Sequence, residues 1–124
     1  MQYRSDTKKV KGLGSIKHGF GHWWAQRLTA VLMVPLGLWF VYSMVSMENL
    51  HPDTLILWLH NPIPAILMTL FVTTVVYHGA LGLQVIIEDY VGNKKMSLIL
   101  LVLLKFAMFA MIVASVFSLF KLVS

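Results

Sequence analysis

The sequence predicts an all-α integral membrane protein with three membrane-spanning helices. The first indication is composition: 58% of the 124 residues are hydrophobic and 12% are charged, where a soluble domain has about 25% charged residues. The second is that the apolar residues fall in three long runs, 28–47, 63–87 and 97–123, separated by polar linkers. The length allows one domain, 1–124, and the composition excludes an ordinary soluble enzyme and a disordered tail.

The first predicted helix, 28–47, contains twenty residues and no charge. At about 1.5 Å per residue it spans roughly 30 Å, the hydrocarbon thickness of a bilayer. We expect Pro35 to kink this helix without ending it, because neighbouring helices can satisfy the freed carbonyl. The preceding segment, 1–27, is predicted to be cytoplasmic, and its four glycines disfavour a helix there.

The second predicted helix, 63–87, begins beside Pro62 and Pro64, which suit a first helical turn. Its 25 residues include no Asp, Glu, Lys or Arg, but they do include His78 and Gln84. Polar groups of this kind inside a membrane are the first place to look for function.

The third predicted helix, 97–123, is interrupted by Lys105, whose role the sequence leaves open. The connections 48–62 and 88–96 are predicted to be linkers. Six of the ten Lys and Arg precede Leu28, the linker 48–62 has none, and the linker 88–96 has two. The excess of basic residues on cytoplasmic segments predicts a cytoplasmic N-terminus and an external C-terminus. The same clustering beside an apolar run points to a membrane and not to nucleic acid as the reason for the net charge of +5.

Cysteine is absent from the chain. This excludes disulfides, cysteine-held iron–sulfur clusters, covalently attached haem and thiolate zinc sites. Any metal or redox cofactor must therefore be held by histidine, carboxylate or methionine.

His78 is the strongest candidate for such a role, because it lies about 14 Å inside its helix. Its imidazole could form an interhelical hydrogen bond to Ser or Thr, or it could bind a metal. Gly79 and Gly82 could leave the helix surface bare for a flat macrocycle such as haem, or allow close helix packing. For a metal-bound His78, we expect the other ring nitrogen to bond the carbonyl or hydroxyl of Thr74, one turn earlier. No second histidine lies at membrane depth, so a second axial ligand would come from a partner in a larger transmembrane bundle.

Asp89 and Tyr90 follow His78 by eleven and twelve residues. Eleven steps of 100° place Asp89 within about 20° of the face that carries His78, if the helix continues. Tyr90 has a hydroxyl able to donate to a carbonyl. The alternative is that Tyr90 is an interfacial anchor and that Asp89 ends the helix in water.

A polar and aromatic cluster precedes the first run: His22, Trp23, Trp24, Gln26 and Arg27. The Trp pair is typical of the headgroup region, where Arg27 could snorkel or contact an anionic group such as a propionate. His18 and His22 have the spacing of a metal pair, but the glycines between them argue against a helix and therefore against such a site.

The stretch HGALGLQVIIEDYV (78–91) resembles the second transmembrane helix of the hydrophobic membrane anchor family of succinate dehydrogenase, respiratory complex II. That family has a haem-ligating His, a Gly one turn later, and Asp-Tyr eleven and twelve residues after the His. Arg27-Leu-Thr-Ala is similar to the family's Arg-x-Thr-Ala, and HWWAQRLTAV resembles alphaproteobacterial and mitochondrial-type members. The resemblance covers the whole chain in length and helix number.

The resemblance implies roles for five residues. His78 would be one axial ligand of a b-type haem and Gly82 would pack against that haem. Tyr90 would bond a ubiquinone carbonyl with Asp89 beside it, and Arg27 would lie near a haem propionate or the quinone.

The resemblance also implies partners: a second anchor (cytochrome b) subunit, an iron–sulfur subunit and a flavoprotein subunit. The chain itself would carry no catalytic residue for succinate chemistry, and it would lie in a bacterial inner membrane, or alternatively in the mitochondrial one. Two other functions stay open, the anchor of a fumarate reductase or other quinone-linked complex, and a small structural membrane protein without a cofactor.

Overall fold

The computed structural model describes residues 16–124, with side chains from Phe20 onward. Its four helices are α1 (Ile16–Ser46), α2 (Pro52–Leu59), α3 (Pro62–Tyr90) and α4 (Lys94–Val123). Three of them, α1, α3 and α4, are long and apolar enough to cross a membrane. The prediction of an all-α fold with three spanning helices is therefore confirmed. The part of the N-terminal segment before residue 16 lies outside the described residues.

Helix α1 begins twelve residues before the predicted span, so the expectation that the glycines prevent a helix is wrong for residues 16–27. A glycine weakens a helix by about 1 kcal/mol, which the hydrogen bonds of a helix near or inside a bilayer outweigh. The helix also continues through Pro35, as predicted.

The linker 48–62 contains a short helix, α2, that was not expected from the sequence. Pro52 occupies its first turn together with Asp53, whose carboxylate suits the positive end of the helix dipole. The ring of Trp58 in α2 stacks on Trp39 of α1, with centroids 5.5 Å apart and an interplanar angle of 22°. This stacking holds α2 against the spanning helices.

Helix α3 continues to Tyr90, three residues past the predicted end at 87, so Asp89 and Tyr90 are helical, share the helix of His78 and do not belong to a linker. Helix α4 begins at Lys94, three residues before the predicted start, because Asn93 caps it. The Asn93 side-chain oxygen accepts hydrogen bonds from the backbone N–H groups of Lys95 (3.0 Å) and Met96 (3.4 Å).

Helix α3 lies between α1 and α4, which do not approach each other within the described residues. Phe40 of α1 stacks on Phe71 of α3 at 5.5 Å. Burial is slight: among the described residues only Leu36, Leu59, Thr74 and Leu81 are buried. Most of the apolar surface is therefore available to lipid or to other subunits, as expected of one part of a larger transmembrane bundle.

Candidate functional site

His78 connects α3 to α1 through a hydrogen bond. Its Nδ1 lies 2.8 Å from the hydroxyl oxygen of Thr29. The expected partner was the carbonyl or hydroxyl of Thr74, and that expectation is wrong, because Nδ1 contacts Thr29 instead. The Thr74 hydroxyl donates to the carbonyl of Leu70 in its own helix at 2.7 Å. Thr29 belongs to the Arg27-Leu-Thr-Ala stretch, and no role was predicted for this threonine.

The interhelical hydrogen bond suggested for His78 is thus present, and it uses one ring nitrogen. The other nitrogen, Nε2, takes part in no hydrogen bond among the described residues. His78 is half-buried, so this nitrogen lies at the edge of the α1–α3 contact and not in a closed core. The arrangement leaves one imidazole nitrogen able to act as a ligand.

Gly79 and Gly82 lie beside His78 on α3. A Cβ atom added at either glycine would meet no other atom within 4 Å. Close packing against another helix of this chain therefore does not explain these glycines in the described part of the structure. The bare surface is open to a group from outside the chain, either a planar cofactor or a helix of a partner.

Arg27 is exposed on α1, and its guanidinium carbon lies 5.3 Å from the centroid of the Trp23 ring. This is the geometry of a cation–π contact. Trp23 in turn makes an edge-to-face contact with Trp24 at 5.3 Å. The aromatic cluster therefore supports the Arg27 side chain on the outside of α1.

The contacts Thr29–His78 and Phe40–Phe71 show that α1 and α3 are antiparallel. Because Arg27 is two residues from Thr29, it lies about 3 Å from the level of His78 along the helix axis. Tyr90 is twelve residues beyond His78, or about 18 Å. Arg27 is thus at the level of His78 and about 15 Å from that of Tyr90.

Asp89 and Tyr90 form the end of α3 and are both exposed, Tyr90 to 83%. Neither makes a side-chain hydrogen bond to another described residue, while the neighbouring Glu88 accepts a bond from Gln84 at 3.0 Å. The phenol and the carboxylate are therefore available to a ligand or a partner subunit. The five candidate residues separate into a group around His78, with Gly82 and Arg27, and a second group at the end of α3.

The burial of one polar atom in each of two half-buried side chains of α1 was not predicted. The Nε2 atom of His22 is buried and has no hydrogen-bond partner among the described residues, and the same is true of the Oε1 atom of Gln26. The spacing of these residues with Thr29 (22, 26, 29) is that of one helix face and would have indicated a polar stripe facing α3. No group of three or more His, Asp or Glu able to hold a metal ion occurs among the described side chains, from Phe20 onward. The side chain of His18, the other member of the pair suggested by the sequence, lies outside the described residues.

Lys105 of α4 lines a cavity of about 230 Å³ with Gln84 and Tyr77 of α3. No ion pair connects Lys105 to another described residue, and the side chain is exposed.

The profile of the family described as "Succinate dehydrogenase/Fumarate reductase transmembrane subunit" matches residues 1–119. A succinate dehydrogenase hydrophobic membrane anchor subunit from Rickettsia bellii is 37% identical over 100 residues, covering 81% of this chain and 80% of the relative. The corresponding subunit of Paracoccus denitrificans is 31% identical over 104 residues, covering 82% and 81%. A succinate dehydrogenase membrane anchor subunit of Reclinomonas americana is 30% identical over 96 residues, covering 75% and 80%. No solved structure gives a significant match. The chain belongs to the succinate dehydrogenase/fumarate reductase transmembrane subunit family, and within it to the succinate dehydrogenase hydrophobic membrane anchors.

Proposed function

We propose that this membrane anchor contributes one axial ligand to a b-type haem and part of a ubiquinone-reduction site. Membership of the anchor family supports an assembly with flavoprotein, iron–sulfur and second anchor subunits. In this proposal the succinate chemistry belongs to the other subunits, and this chain supplies the membrane part of the complex.

The observation that carries the proposal is the environment of His78. One ring nitrogen is bonded to Thr29, the other is not used, and the adjacent Gly79 and Gly82 leave the surface bare. A neutral imidazole with one nitrogen hydrogen-bonded is the usual form of a histidine ligand. With one candidate ligand in this chain, the second would be supplied by the partner anchor. When bound, a b-type haem supplies a one-electron redox centre within the membrane.

Arg27 is the residue of this chain that would bind a haem propionate. It lies at the level of His78, and its guanidinium can form two parallel hydrogen bonds with a carboxylate. A quinone is a less suitable ligand for Arg27 than a propionate, because Arg27 lies about 15 Å along the helix axis from the level of Tyr90.

Tyr90 and Asp89 are the residues that would bind ubiquinone. Both are exposed and lack partners among the described residues, so a quinone carbonyl could accept a hydrogen bond from the Tyr90 hydroxyl. Asp89, beside it, would influence the charge and the proton supply at that oxygen. The distribution of basic residues favours a cytoplasmic location for this end of α3, where the iron–sulfur and flavoprotein subunits would dock.

The test is the spectrum of the complex carrying His78→Leu, purified in mild detergent. We expect the low-spin b-type spectrum to be lost or strongly perturbed, while succinate oxidation by a soluble dye continues. His60→Leu is the matched control, because His60 is exposed near the opposite end of α3, where its Nδ1 contacts the Ile56 carbonyl at 2.7 Å. An unchanged haem spectrum in the His78 variant would show that the ligand assignment is wrong.

A further inference from the structure

We propose that Thr29 is a positioning residue for His78, which it holds in the tautomer that presents an unprotonated Nε2 to the haem iron. This inference rests on the proposed role of His78 as a ligand. According to this inference, a residue of α1 orients the iron ligand that belongs to α3.

The hydrogen of the Thr29 hydroxyl and the proton of the His78 ring can be placed from the three atoms that surround the Thr29 oxygen, which are two carbonyl oxygens and one ring nitrogen. Its oxygen lies 2.7 Å from the Ala25 carbonyl, 3.1 Å from the Gln26 carbonyl and 2.8 Å from His78 Nδ1. The carbonyls can only accept, and the hydroxyl has one hydrogen. If that hydrogen pointed to Nδ1, two oxygen atoms would lie 2.7 Å apart with no hydrogen between them.

The arrangement without this conflict has the Thr29 hydroxyl donating to the Ala25 carbonyl and accepting a hydrogen bond from Nδ1–H of His78. A neutral imidazole protonated on Nδ1 has its lone pair on Nε2. This is the nitrogen that no described residue uses, and it can therefore bind iron. The backbone of α1 thus determines the tautomer of a side chain on α3.

The Thr29 oxygen is well suited to orient the ring because its own position is restricted. Thr29 is half-buried at the contact of α1 with α3, and its β-branched side chain has few rotamers in a helix. The bond to the Ala25 carbonyl selects one of these rotamers. Partners of metal-bound histidines act in this way, and their loss typically weakens metal binding by about 10- to 100-fold.

The experiment compares Thr29→Val, Thr29→Ala, Thr29→Ser and Thr74→Val in the purified complex. Valine keeps the shape and branching of threonine without the hydroxyl, alanine is a smaller replacement, and serine keeps the hydroxyl. Thr74→Val is the matched control, since Thr74 is on α3 one turn before His78 and its hydroxyl bonds only Leu70. The measurements are haem per flavin, the rate of haem loss to an external acceptor, and the haem midpoint potential.

In Thr29→Val and Thr29→Ala we expect haem loss to be about 10- to 100-fold faster. The midpoint potential should rise, because an imidazole without its hydrogen-bond acceptor is a less basic ligand and stabilises ferric iron less. Thr29→Ser and Thr74→Val should resemble the wild type in both measurements. The alanine variant also supplies the result if the valine variant does not assemble.

Equal haem loss and equal potentials in the Thr29 variants and Thr74→Val would overturn the inference. A serine variant that behaves like valine would also overturn it, because the effect would then come from packing and not from the hydroxyl. The proposed function fails separately, through retention of the haem spectrum in His78→Leu. If that variant loses the spectrum while Thr29→Val is unaffected, only the role of Thr29 is wrong.

Discussion

Replacing Gly82 tests whether a cofactor lies against the bare surface beside His78. A Cβ atom at this position meets no atom of the chain within 4 Å, so neither alanine nor leucine has a steric conflict at its Cβ inside this chain. Glycine in a helix interior is about 0.5–1 kcal/mol less favourable than alanine. Gly82→Ala should therefore leave α3 as stable as before or slightly more stable. Any loss of haem in this variant must then come from a clash of the new side chain with a group that does not belong to this chain.

We expect Gly82→Ala to reduce haem per flavin and Gly82→Leu to reduce it further, because the larger side chain enters the space of the ring. The assay is the haem-to-flavin ratio and the reduced-minus-oxidised spectrum of the assembled complex. Gly37→Ala is the matched control, since Gly37 is also helical and a Cβ there also meets no atom within 4 Å. A Gly82→Leu complex with full haem content and an unchanged spectrum would refute the placement of the cofactor against this surface. Failure of the complex to assemble, seen as lost flavin in the membrane, would instead indicate that a partner helix occupies it.

Three further predictions concern the end of α3 and the orientation of the chain. Tyr90→Phe should lower ubiquinone reduction by about five- to thirtyfold, which corresponds to a lost hydrogen bond of about 1–2 kcal/mol, and should leave dye reduction by succinate intact. Full quinone activity in this variant would identify Tyr90 as an interfacial anchor. Asp89→Asn should have a smaller effect on the same assay, because it alters charge and proton supply and not a direct contact, so an effect larger than that of Tyr90→Phe would reverse the two roles. A reporter fused to the C-terminus should be active only on the external side of the membrane, and cytoplasmic activity would contradict the assignment of Tyr90 to the cytoplasmic side.

The spanning helices could be predicted from the sequence because length and apolar composition suffice to recognise them. The position of His78 inside a spanning helix follows from a count of residues along α3. Its common helix with Asp89 and Tyr90 was left open by the sequence, because the apolar run ends at residue 87 whereas α3 ends at Tyr90. Helix α2 was not predicted, because the polar composition of its linker favours a loop. Pro52 and Asp53 are nevertheless ordinary signals of a helix start.

The partner of His78 could not be predicted in the same way. Thr29 is 49 residues away in sequence, and its contact with His78 depends on the relative rotation and sliding of two helices. Residue periodicity within α3 favours a partner one turn away, which is Thr74. In the structure the hydroxyl of Thr74 is satisfied by its own helix, as often occurs for threonine in apolar surroundings.

The central position of α3 has a consequence for how substitutions combine. Because α1 and α4 contact α3 but not each other within the described residues, a change in α1 has no direct route within this chain to α4. Free energies of substitutions on distant, unconnected surfaces usually add to within about 0.3–0.5 kcal/mol, whereas those of contacting residues do not. Double-mutant cycles between α4 and residues of α1 other than Trp39, which contacts α2, should therefore be additive, and cycles that include Thr29 and His78 should show coupling. Helix α3 is in this sense the main thermodynamic link between the two outer helices, and α2 is a smaller second link, because it stacks on α1 through Trp58 and also contacts α4. Away from α2, sequence changes can accumulate on α1 and α4 independently so long as each still fits α3.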